Sequence, residues 1–514
     1  MATFVYYLIA IVSGAGLIGL GLLFNRKDSG KFNKYLKIVS LIIGVVFLVR
    51  YMLGADAIQN IFKLGETPIT NKFLNLCALF LVWFSYASAL LVSMYGFYAK
   101  YIKNYIKYFA LPVSFLSLIF MPFHFTAIIG ENAINTFSVR GIFFALEIGL
   151  VFAFCLLIFI LNIKEKLSNK KENKRSNINQ EKIENTKINN KNTRKNKEKL
   201  TFKQFFINIW DNIKEFFRKY WFNIFAGIAI IFSVMPAYTF QGLFGYVHQT
   251  MTCKNFELPH RVILYIGIIL PFIIHFSLKN KEYKLKRFYL LYICLGTLLT
   301  FSLHHKFASF LDPVNWPLHL CNTAMYIMPI VLLFNMKRFF YFTYFINVVG
   351  AFFAMFMPNY DATTNMFATR ILVFYTNHYI AFFMPILFVS LGMFEKPKFK
   401  QFVYSMLGFL GYFVLVLILN AMFTGMFEAG LASAKTDFFF INSDFIADKL
   451  GEWCRRLMDI TAVIHIGRIN MTFYPLYQSI FFIVYVGIGL AMWFIYEQGY
   501  EIAASFEDIR NRKR

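Results

Sequence analysis

The chain has 514 residues, of which 58% are hydrophobic and only 15% are charged. This composition argues against an ordinary soluble domain, because many apolar runs approach or exceed the ~20 residues that a helix needs to cross a bilayer. The formal net charge of +25 does not require nucleic acid as a partner, since much of it lies in loops beside the apolar runs. We therefore expect an all-α polytopic membrane protein that contacts anionic phospholipids at its cytoplasmic face.

Thirteen apolar runs are predicted to span the membrane. In chain order they are Thr3–Phe24, Leu36–Leu53, Phe73–Tyr98, Tyr105–Met121, Phe137–Asn162, Trp221–Phe240, Arg261–Leu278, Phe288–Leu303, Pro317–Phe334, Phe339–Met357, Arg370–Met393, Phe402–Ala421 and Leu476–Tyr496. The first five form a bundle over residues 1–162, the sixth lies within 219–240, and the last seven lie within 258–497.

The connecting segments differ in composition. Residues 163–200 are rich in Lys, Asn and Glu, which predicts a disordered basic cytoplasmic linker. Residues 201–218 carry apolar residues at helical spacing between basic ends, which predicts an amphipathic helix in the membrane interface. The loop Thr424–Pro475 is long and mixed, with room for a short re-entrant or surface helix. Residues 498–514 form a basic tail.

The basic loops alternate consistently between successive spans and all fall on one side of the membrane. By the positive-inside rule this side is cytoplasmic. The sequence therefore predicts a multi-pass protein of the cell membrane, with its N-terminus outside and its C-terminus in the cytoplasm.

The six cysteines show no C-x-x-C spacing, so they imply neither a zinc site nor a disulfide framework. We predict no metal and no cofactor. Cys253 and Cys454 fall in predicted external loops, and the sequence leaves open whether they form a disulfide.

Two pairs of short motifs suggest an internal repeat. Phe73-Leu-Asn-Leu-Cys77 resembles Pro317-Leu-His-Leu-Cys321, and Met121-Pro122 with a later Arg140 resembles Met357-Pro358 with a later Arg370. The matching motifs occupy the third and fifth spans of each half. Two degenerate repeats of six and seven spans, parallel in orientation, are therefore predicted, as in some transporters. Coincidence under a biased composition is the alternative.

The stretch Asp312–Ile330 carries the most informative polar cluster. Asp312 or Asn315 is expected to cap a helix with Pro317 just inside its start. His319 and Cys321 then lie within about the first two turns, and their side chains diverge too far to pair with each other. An activating base for the Cys321 thiol must come from another helix, and His378 is the best candidate.

The motif Pro317-Leu-His-Leu-Cys321, together with His378 and a weaker match at His260, resembles the YwaF family of bacterial integral membrane proteins. The resemblance covers roughly residues 260–493. Distant animal relatives of that family include an ether-phospholipid acyltransferase. In the family, glutamine replaces the motif histidine in some members, which implies hydrogen bonding rather than proton transfer for His319. The chain departs from the pattern at Asp437-Phe438, where the family tends to have Asn-Tyr.

These observations define a candidate site. Cys321 is the candidate nucleophile, His378 its base, and His319 a group that orients a substrate carbonyl or holds the helix start. The candidate substrate-binding residues are Arg370, Asn377, Asn322 and His260. The first half looks like a degenerate copy, and its counterparts are Cys77, Asn75, Arg140 and Glu147. Glu147 needs a partner if it is buried, and Arg50 or Arg140 is nearest by depth.

Three classes of function remain open. The first is a lipid-modifying enzyme, such as a thiol-dependent acyltransferase or lipid hydrolase, with its site near the outer leaflet. The second is a secondary transporter of a small molecule, built from two parallel repeats. The third is a lipid-binding or scaffold protein without catalysis. Purely structural roles compete for each residue, since an intramembrane cysteine is usually an apolar filler.

Overall fold

A computed structural model gives the fold of the chain. It describes residues 2–53, 71–129, 135–184, 202–245, 251–301, 311–356, 358, 360–361 and 363–512. Met357, which belongs to one of the predicted repeat motifs, lies outside the described residues.

Among the described residues, the first part of the chain forms eight α-helices. They are α1 Ala2–Lys27, α2 Ser29–Met52, α3 Lys72–Tyr105, α4 Leu111–Ile119, α5 Met121–Ile129, α6 Val139–Glu184, α7 Phe202–Phe232 and α8 Ala237–Phe240. A π-helical turn, Ile106–Ala110, joins α3 to α4. The backbone of α3 leaves the helical region at Tyr98, which is the predicted end of the third span.

In the second part, the residues that the structure describes form ten more α-helices and two strands. They are α9 Leu258–Leu278, α10 Tyr283–Phe301, α11 Leu320–Phe334, α12 Lys337–Phe342, α13 Val348–Phe356, α14 Thr369–Ser390, α15 Phe399–Glu428, α16 Phe445–Leu450, α17 Glu452–Arg455, β1 Ala462–Ile466, β2 Ile469–Phe473 and α18 Pro475–Arg512. A π-helical turn, Thr343–Asn347, joins α12 to α13.

The prediction of an all-α polytopic membrane protein is confirmed. Among the described residues, nine helical segments are long and apolar enough to span a bilayer. They are Ala2–Lys27, Ser29–Met52, Lys72–Ile119, Val139–Lys164, Leu258–Leu278, Lys337–Phe356, Thr369–Ser390, Phe399–Glu428 and Pro475–Ile502. The predicted third and fourth spans both lie in the bent segment Lys72–Ile119. The ninth predicted span is the shorter apolar helix α11.

Two segments before the second half differ from the sequence prediction. The backbone of α6 remains helical as far as Glu184, so any linker starts later than residue 163; residues 185–201 lie outside the described part. The expected interfacial helix and sixth span merge into the single helix α7, which ends at Phe232. No helix-breaking residue separates the two predicted pieces, whereas Pro236 disfavours helix in the residues just before it.

The loop before α18 contains an antiparallel hairpin, β1–β2, in addition to the short helices α16 and α17. The sequence analysis expected only a helix there. The hairpin follows from runs of β-branched residues on either side of Gly467, whose φ of +60° favours glycine. The strand β2 packs on α15, where a Cβ at Gly425 would meet the Asn470 carbonyl oxygen at 2.5 Å.

The chain divides into two compact units. The first comprises Met1–Leu48, Phe84–Phe125 and Asn132–Phe232. Within it, α1 packs along α6, and Gly149 allows close contact because a Cβ there would lie 2.3 Å from the Ala10 carbonyl oxygen. Small residues permit this kind of helix packing in membranes.

The second unit comprises Val49–Trp83, Thr126–Glu131 and Ser233–Arg514. In this unit α11 packs against α10, α13 and α14, and α15 packs against α12 and α18. The second unit also takes in residues 49–83 of the predicted first bundle, residues 1–162. Cys321, His319 and His378 all belong to the second unit.

Candidate functional site

The helix that carries Cys321 begins later than predicted. Its first residue is Leu320, and His319 is the N-cap residue with an extended backbone. Asp312 instead caps a short 3-10 turn by accepting a hydrogen bond from the Val314 N–H at 3.2 Å. Trp316 precedes a proline and is extended, as the clash with a following proline ring favours. Cys321 therefore lies in the first turn, at the second helical position.

The half-buried His319 ring packs against a strained turn. Its centroid lies 5.6 Å from that of Phe438 and 5.2 Å from that of Phe440. Its Nδ1 accepts a hydrogen bond from the Phe439 N–H at 3.4 Å, which assigns the proton of a neutral ring to Nε2. Phe439 and Phe440 have φ of +67° and +57°, values that bulky side chains rarely adopt.

Polar contacts hold this turn in place. The Asn420 side chain donates to the Phe438 carbonyl and accepts from the Phe438 N–H, both at 2.9 Å. The Tyr477 hydroxyl donates to the Phe440 carbonyl at 3.1 Å. Strained backbone that its surroundings fix so firmly is common beside functional sites. His319 is thus a hydrogen-bond acceptor at this turn, consistent with a positioning role.

Asp437 anchors the start of the same turn. Its carboxylate accepts hydrogen bonds from the Asn442 N–H at 2.9 Å and from the Ser443 hydroxyl. Burial raises the pKa of Asp437 above its usual range, although these hydrogen bonds oppose the shift. The family pattern expected asparagine here, and an asparagine side chain would satisfy the same two partners.

Cys321 belongs to a polar cluster that joins α11 to α14. Its half-buried thiol donates to Oδ1 of Asn322 at 3.6 Å. The same oxygen accepts a hydrogen bond from Nδ2 of Asn377 at 2.7 Å. The Asn377 side chain also lies close enough to interact with the thiol. The two predicted substrate-binding asparagines therefore contact each other between the two helices.

His378 lies on α14 next to Asn377 and is 5% exposed. Its Nδ1 donates to the Phe374 carbonyl at 2.6 Å, and its ring stacks on Phe374 at 4.1 Å. This bond leaves Nε2 as the basic atom. Among the described residues, no hydrogen bond joins His378 to Cys321. The two residues lie on the packed helices α14 and α11, and each is the sequence neighbour of one partner in the Asn322–Asn377 hydrogen bond.

The buried Asn347 and the half-buried Tyr412, which the sequence analysis missed, also bind the start of α11. The Asn347 side chain donates to the Leu320 carbonyl and, at 3.0 Å, to the Thr323 hydroxyl. The Tyr412 hydroxyl donates to the Leu318 carbonyl at 2.6 Å. Asn347 could have been found from the sequence, because it is a single asparagine in an otherwise apolar span and such a residue must find a partner.

His260 and Arg370 occupy different settings. His260 is fully buried, with Nδ1 accepting from the Phe256 N–H at 2.8 Å and Nε2 lying 3.2 Å from the Met355 carbonyl oxygen. Both ring nitrogens are therefore engaged by backbone, so His260 joins α9 to α13 rather than being open to substrate. Arg370 is exposed in the first turn of α14.

The cysteines in the predicted external loops do not pair. Cys253 and Cys454 are both buried free thiols. The Cys253 thiol lies 3.4 Å from the Tyr360 hydroxyl, which in turn lies 2.8 Å from the Tyr375 hydroxyl. Burial raises the pKa of Cys253, so this thiol resists ionisation.

The first-half counterparts divide between the two compact units. Asn75 is buried and Cys77 is exposed, and both belong to the second unit. Arg140 is exposed and Glu147 is 3% exposed, and both belong to the first unit. The repeat therefore stays a prediction. A buried polar pair that the sequence analysis did not single out, Ser85 Oγ and His124 Nε2 at 3.1 Å, lies in the first unit.

A mostly apolar cavity of about 830 Å³ lies between α11, α12 and α15. Thr323 and Tyr412 line one end, and Arg338 and Gln401 line the other. In the predicted topology the Arg338 end faces the cytoplasm. The pocket expected from the sequence opens at the opposite, outer end, where Cys321 lies, and this expectation stays a prediction.

Comparisons with known proteins support the membrane assignment of the second half. No curated protein and no solved structure gives a significant match to the chain. The resemblance to the YwaF family and to an acyltransferase stays a prediction. Residues 244–496, just under half of the 514-residue chain, match the model of the TMEM164 family of membrane proteins.

Proposed function

We propose that the second half of this membrane protein transfers acyl groups between membrane lipids, with Cys321 as the nucleophile. The observation that carries the proposal is the position of the Cys321 thiol. It is half-buried in the first turn of α11, inside a polar cluster shared with α14. Polar groups at membrane depth are costly and are usually retained for function.

The later start of α11 strengthens the case for Cys321. The first-turn N–H groups of a helix have no intrahelical acceptors, and the helix dipole favours negative charge beside them. Cys321 is the second residue of α11, so these N–H groups lower the free-energy cost of burying a thiolate. If the helix had begun at Pro317, as predicted, the thiol would lie three residues further from the helix start.

The reaction would proceed in two balanced steps. Nε2 of His378 accepts the thiol proton, the sulfur attacks the ester carbonyl of a donor lipid, and the leaving alkoxide takes the proton from the imidazolium. A thioester then links the acyl group to Cys321. The hydroxyl of an acceptor lipid attacks this thioester, its proton passes to His378, and the released thiolate regains it.

The resting arrangement must change for the first step. The thiol is hydrogen-bonded to Asn322. It has to rotate towards Nε2 of His378 on the packed helix α14. Catalytic hydrogen bonds often form only in the substrate complex. Asn322 and Asn377 fix the distance between the two helices, which makes them positioning residues. His319 has an Nε2–H to donate to a substrate carbonyl.

Acyl transfer from a phospholipid to the free hydroxyl of a lysophospholipid, by the purified full chain in nanodiscs, tests the proposal. Cys321→Ser should lower the rate at least about 100-fold, because a hydroxyl is a much weaker nucleophile than a thiol. Cys77→Ser is the matched control and should retain the rate. Equal rates for both variants, or no transfer by the unaltered protein, would contradict the proposal and leave the transporter and scaffold hypotheses.

A further inference from the structure

The cavity between α11, α12 and α15 combines an apolar interior with the exposed guanidinium of Arg338. Lys337 is paired with Glu395 at 2.8 Å. Arg338, the next residue, is exposed and makes no hydrogen bond or ion pair with another described residue. An anion bound at this end would neutralise a guanidinium that the described residues leave uncompensated.

The interior of the cavity offers almost no polar chemistry to a ligand. The hydroxyls of Thr323, Ser405 and Tyr412 donate to the carbonyls of Leu320, Gln401 and Leu318, respectively, at 2.9, 2.8 and 2.6 Å. With these donors already used, the wall is effectively apolar. A hydrocarbon chain fits such a wall, whereas a sugar or a nucleotide does not.

The length and position of the cavity also suit a lipid. Gln401 and Tyr412 lie at opposite ends and are eleven residues apart on α15, a distance of roughly 16 Å along a helix. Arg338 lies in the first turn of α12, near the C-terminal end of α11 and the N-terminal end of α15. The cation is therefore near the ends of apolar helices, where lipid headgroups are found.

We propose that this cavity binds one acyl chain of a glycerophospholipid whose phosphate pairs with Arg338. The chain tip then reaches Thr323 and Tyr412, which brace the start of the helix that carries Cys321. The ester groups of this lipid stay near Arg338, far from Cys321, so the bound molecule is not the acyl donor. The site is separate from the proposed function and would bind lipid in a chain without acyl-transfer activity.

Photocrosslinking provides the direct test. The full chain is placed in phosphatidylcholine nanodiscs with a trace of phosphatidylglycerol that carries a diazirine near the end of one acyl chain. Crosslinks mapped by mass spectrometry should include Ile327 and Tyr412, which line the cavity. Crosslinks confined to Leu407 and Leu410, exposed residues of α15, would overturn the proposal.

Glycine positions on α15 offer a matched pair of variants. A Cβ at Gly408 would make only ordinary contact with Phe342, at 3.5 Å, and Gly408 lines the cavity. Gly411 has nothing within 4 Å of the corresponding position. Gly408→Leu should reduce cavity crosslinking at least about tenfold and Gly411→Leu should not. Equal crosslinking in the two variants contradicts the proposal.

The cation is tested by a second pair, which stays informative if Gly408→Leu fails to fold. Arg338→Gln should reduce cavity crosslinking by roughly fivefold, the usual effect of one basic residue near a membrane surface. Lys284→Gln, at an exposed lysine outside the cavity lining, should have no effect. An equal loss of crosslinking in the two variants would overturn the assignment of Arg338. Excess chain-free glycerophosphate should not compete; full competition would indicate a site for soluble phosphate instead.

Discussion

Two similar sequence motifs begin their helices at different points. In the first half, Asn71 accepts hydrogen bonds from the N–H groups of Phe73 and Leu74 at 3.0 and 3.1 Å, and α3 begins at Lys72. Cys77 is therefore the sixth residue of α3. In the second half, α11 begins at Leu320 and Cys321 is its second residue.

Proline accounts for the difference. Pro317 stands where the first half has Phe73, and the residue before a proline is driven out of the helical region. The Tyr412 hydroxyl then holds the Leu318 carbonyl in the extended connection. Two motifs of the same pattern thus place their cysteines in different chemical settings. Only Cys321 reaches the first-turn N–H groups and the polar cluster with α14.

The largest expected difference in acyl-transfer rate is between substitutions of two buried histidines, His378 and His124. His378→Gln should lower acyl transfer by about 100-fold or more, because general base catalysis typically contributes 10²–10⁴-fold. His124, whose Nε2 lies 3.1 Å from the Ser85 hydroxyl, is the control, and His124→Gln should retain the rate per folded molecule. Rates measured on nanodisc samples matched for folded protein decide this, and a comparable loss in His124→Gln would break the proposed asymmetry.

Leucine substitutions of the half-buried Asn322 and the buried Asn75 should change stability differently. Asn322→Leu removes the acceptor of Asn377, which should lower the free energy of unfolding by about 1–2 kcal/mol. Oδ1 of Asn75 is buried without a hydrogen bond to any described residue, so Asn75→Leu should be neutral or stabilising. Denaturant unfolding in detergent micelles measures both, and a larger loss for Asn75→Leu would contradict the structure.

The two helix-start residues give a smaller contrast. Asn71→Ala removes the cap of α3 and should cost about 1 kcal/mol of stability. Asp312→Ala removes a bond to a 3-10 turn of three residues, outside α11, and should cost less. Thermal melting of the two variants provides the comparison. A larger loss for Asp312→Ala would indicate that this turn, rather than the Pro317 region, fixes the start of α11.

The smallest effect concerns the turn that covers His319. Burial raises the pKa of Asp437 in the folded protein, so this carboxyl favours folding most when it is protonated. Its contribution to stability is present below its unfolded pKa and is lost as the pH rises through the folded pKa. Asp437→Asn should remove this pH dependence, while its side chain can still hydrogen-bond to Asn442 and Ser443. Melting temperatures from pH 3.5 to 7 would show it, and an unchanged profile would contradict it.

The sequence predicted the parts of the structure that depend on local patterns. Apolar runs located most helices, and the contact between α11 and α14 followed from the few polar residues on two spans. The predicted start of α11 at Pro317 was wrong by three residues. The prediction relied on the preference of proline for the first helical turn. It gave too little weight to the effect of proline on the preceding residue, Trp316, which is driven out of the helical region. The hairpin Ala462–Phe473 was missed in a long, mixed loop for which only a short re-entrant or surface helix was considered.

Other features of the site depend on tertiary structure. His319 bonds to the Phe439 N–H, which is 120 residues away along the chain. That contact requires positive φ at two phenylalanines, a conformation that no sequence rule assigns to them. The cavity at Arg338 likewise arises from three helices that the chain brings together only on folding.

The central claim, that Cys321 carries an acyl group, is tested most directly by isolating the intermediate. The purified full chain would be incubated with a phospholipid that has a tagged acyl chain, stopped with acid, digested and mapped by mass spectrometry. The account predicts a hydroxylamine-sensitive thioester on Cys321 and none on Cys77. A tagged acyl group on any other residue, or turnover without a tagged Cys321, would contradict it.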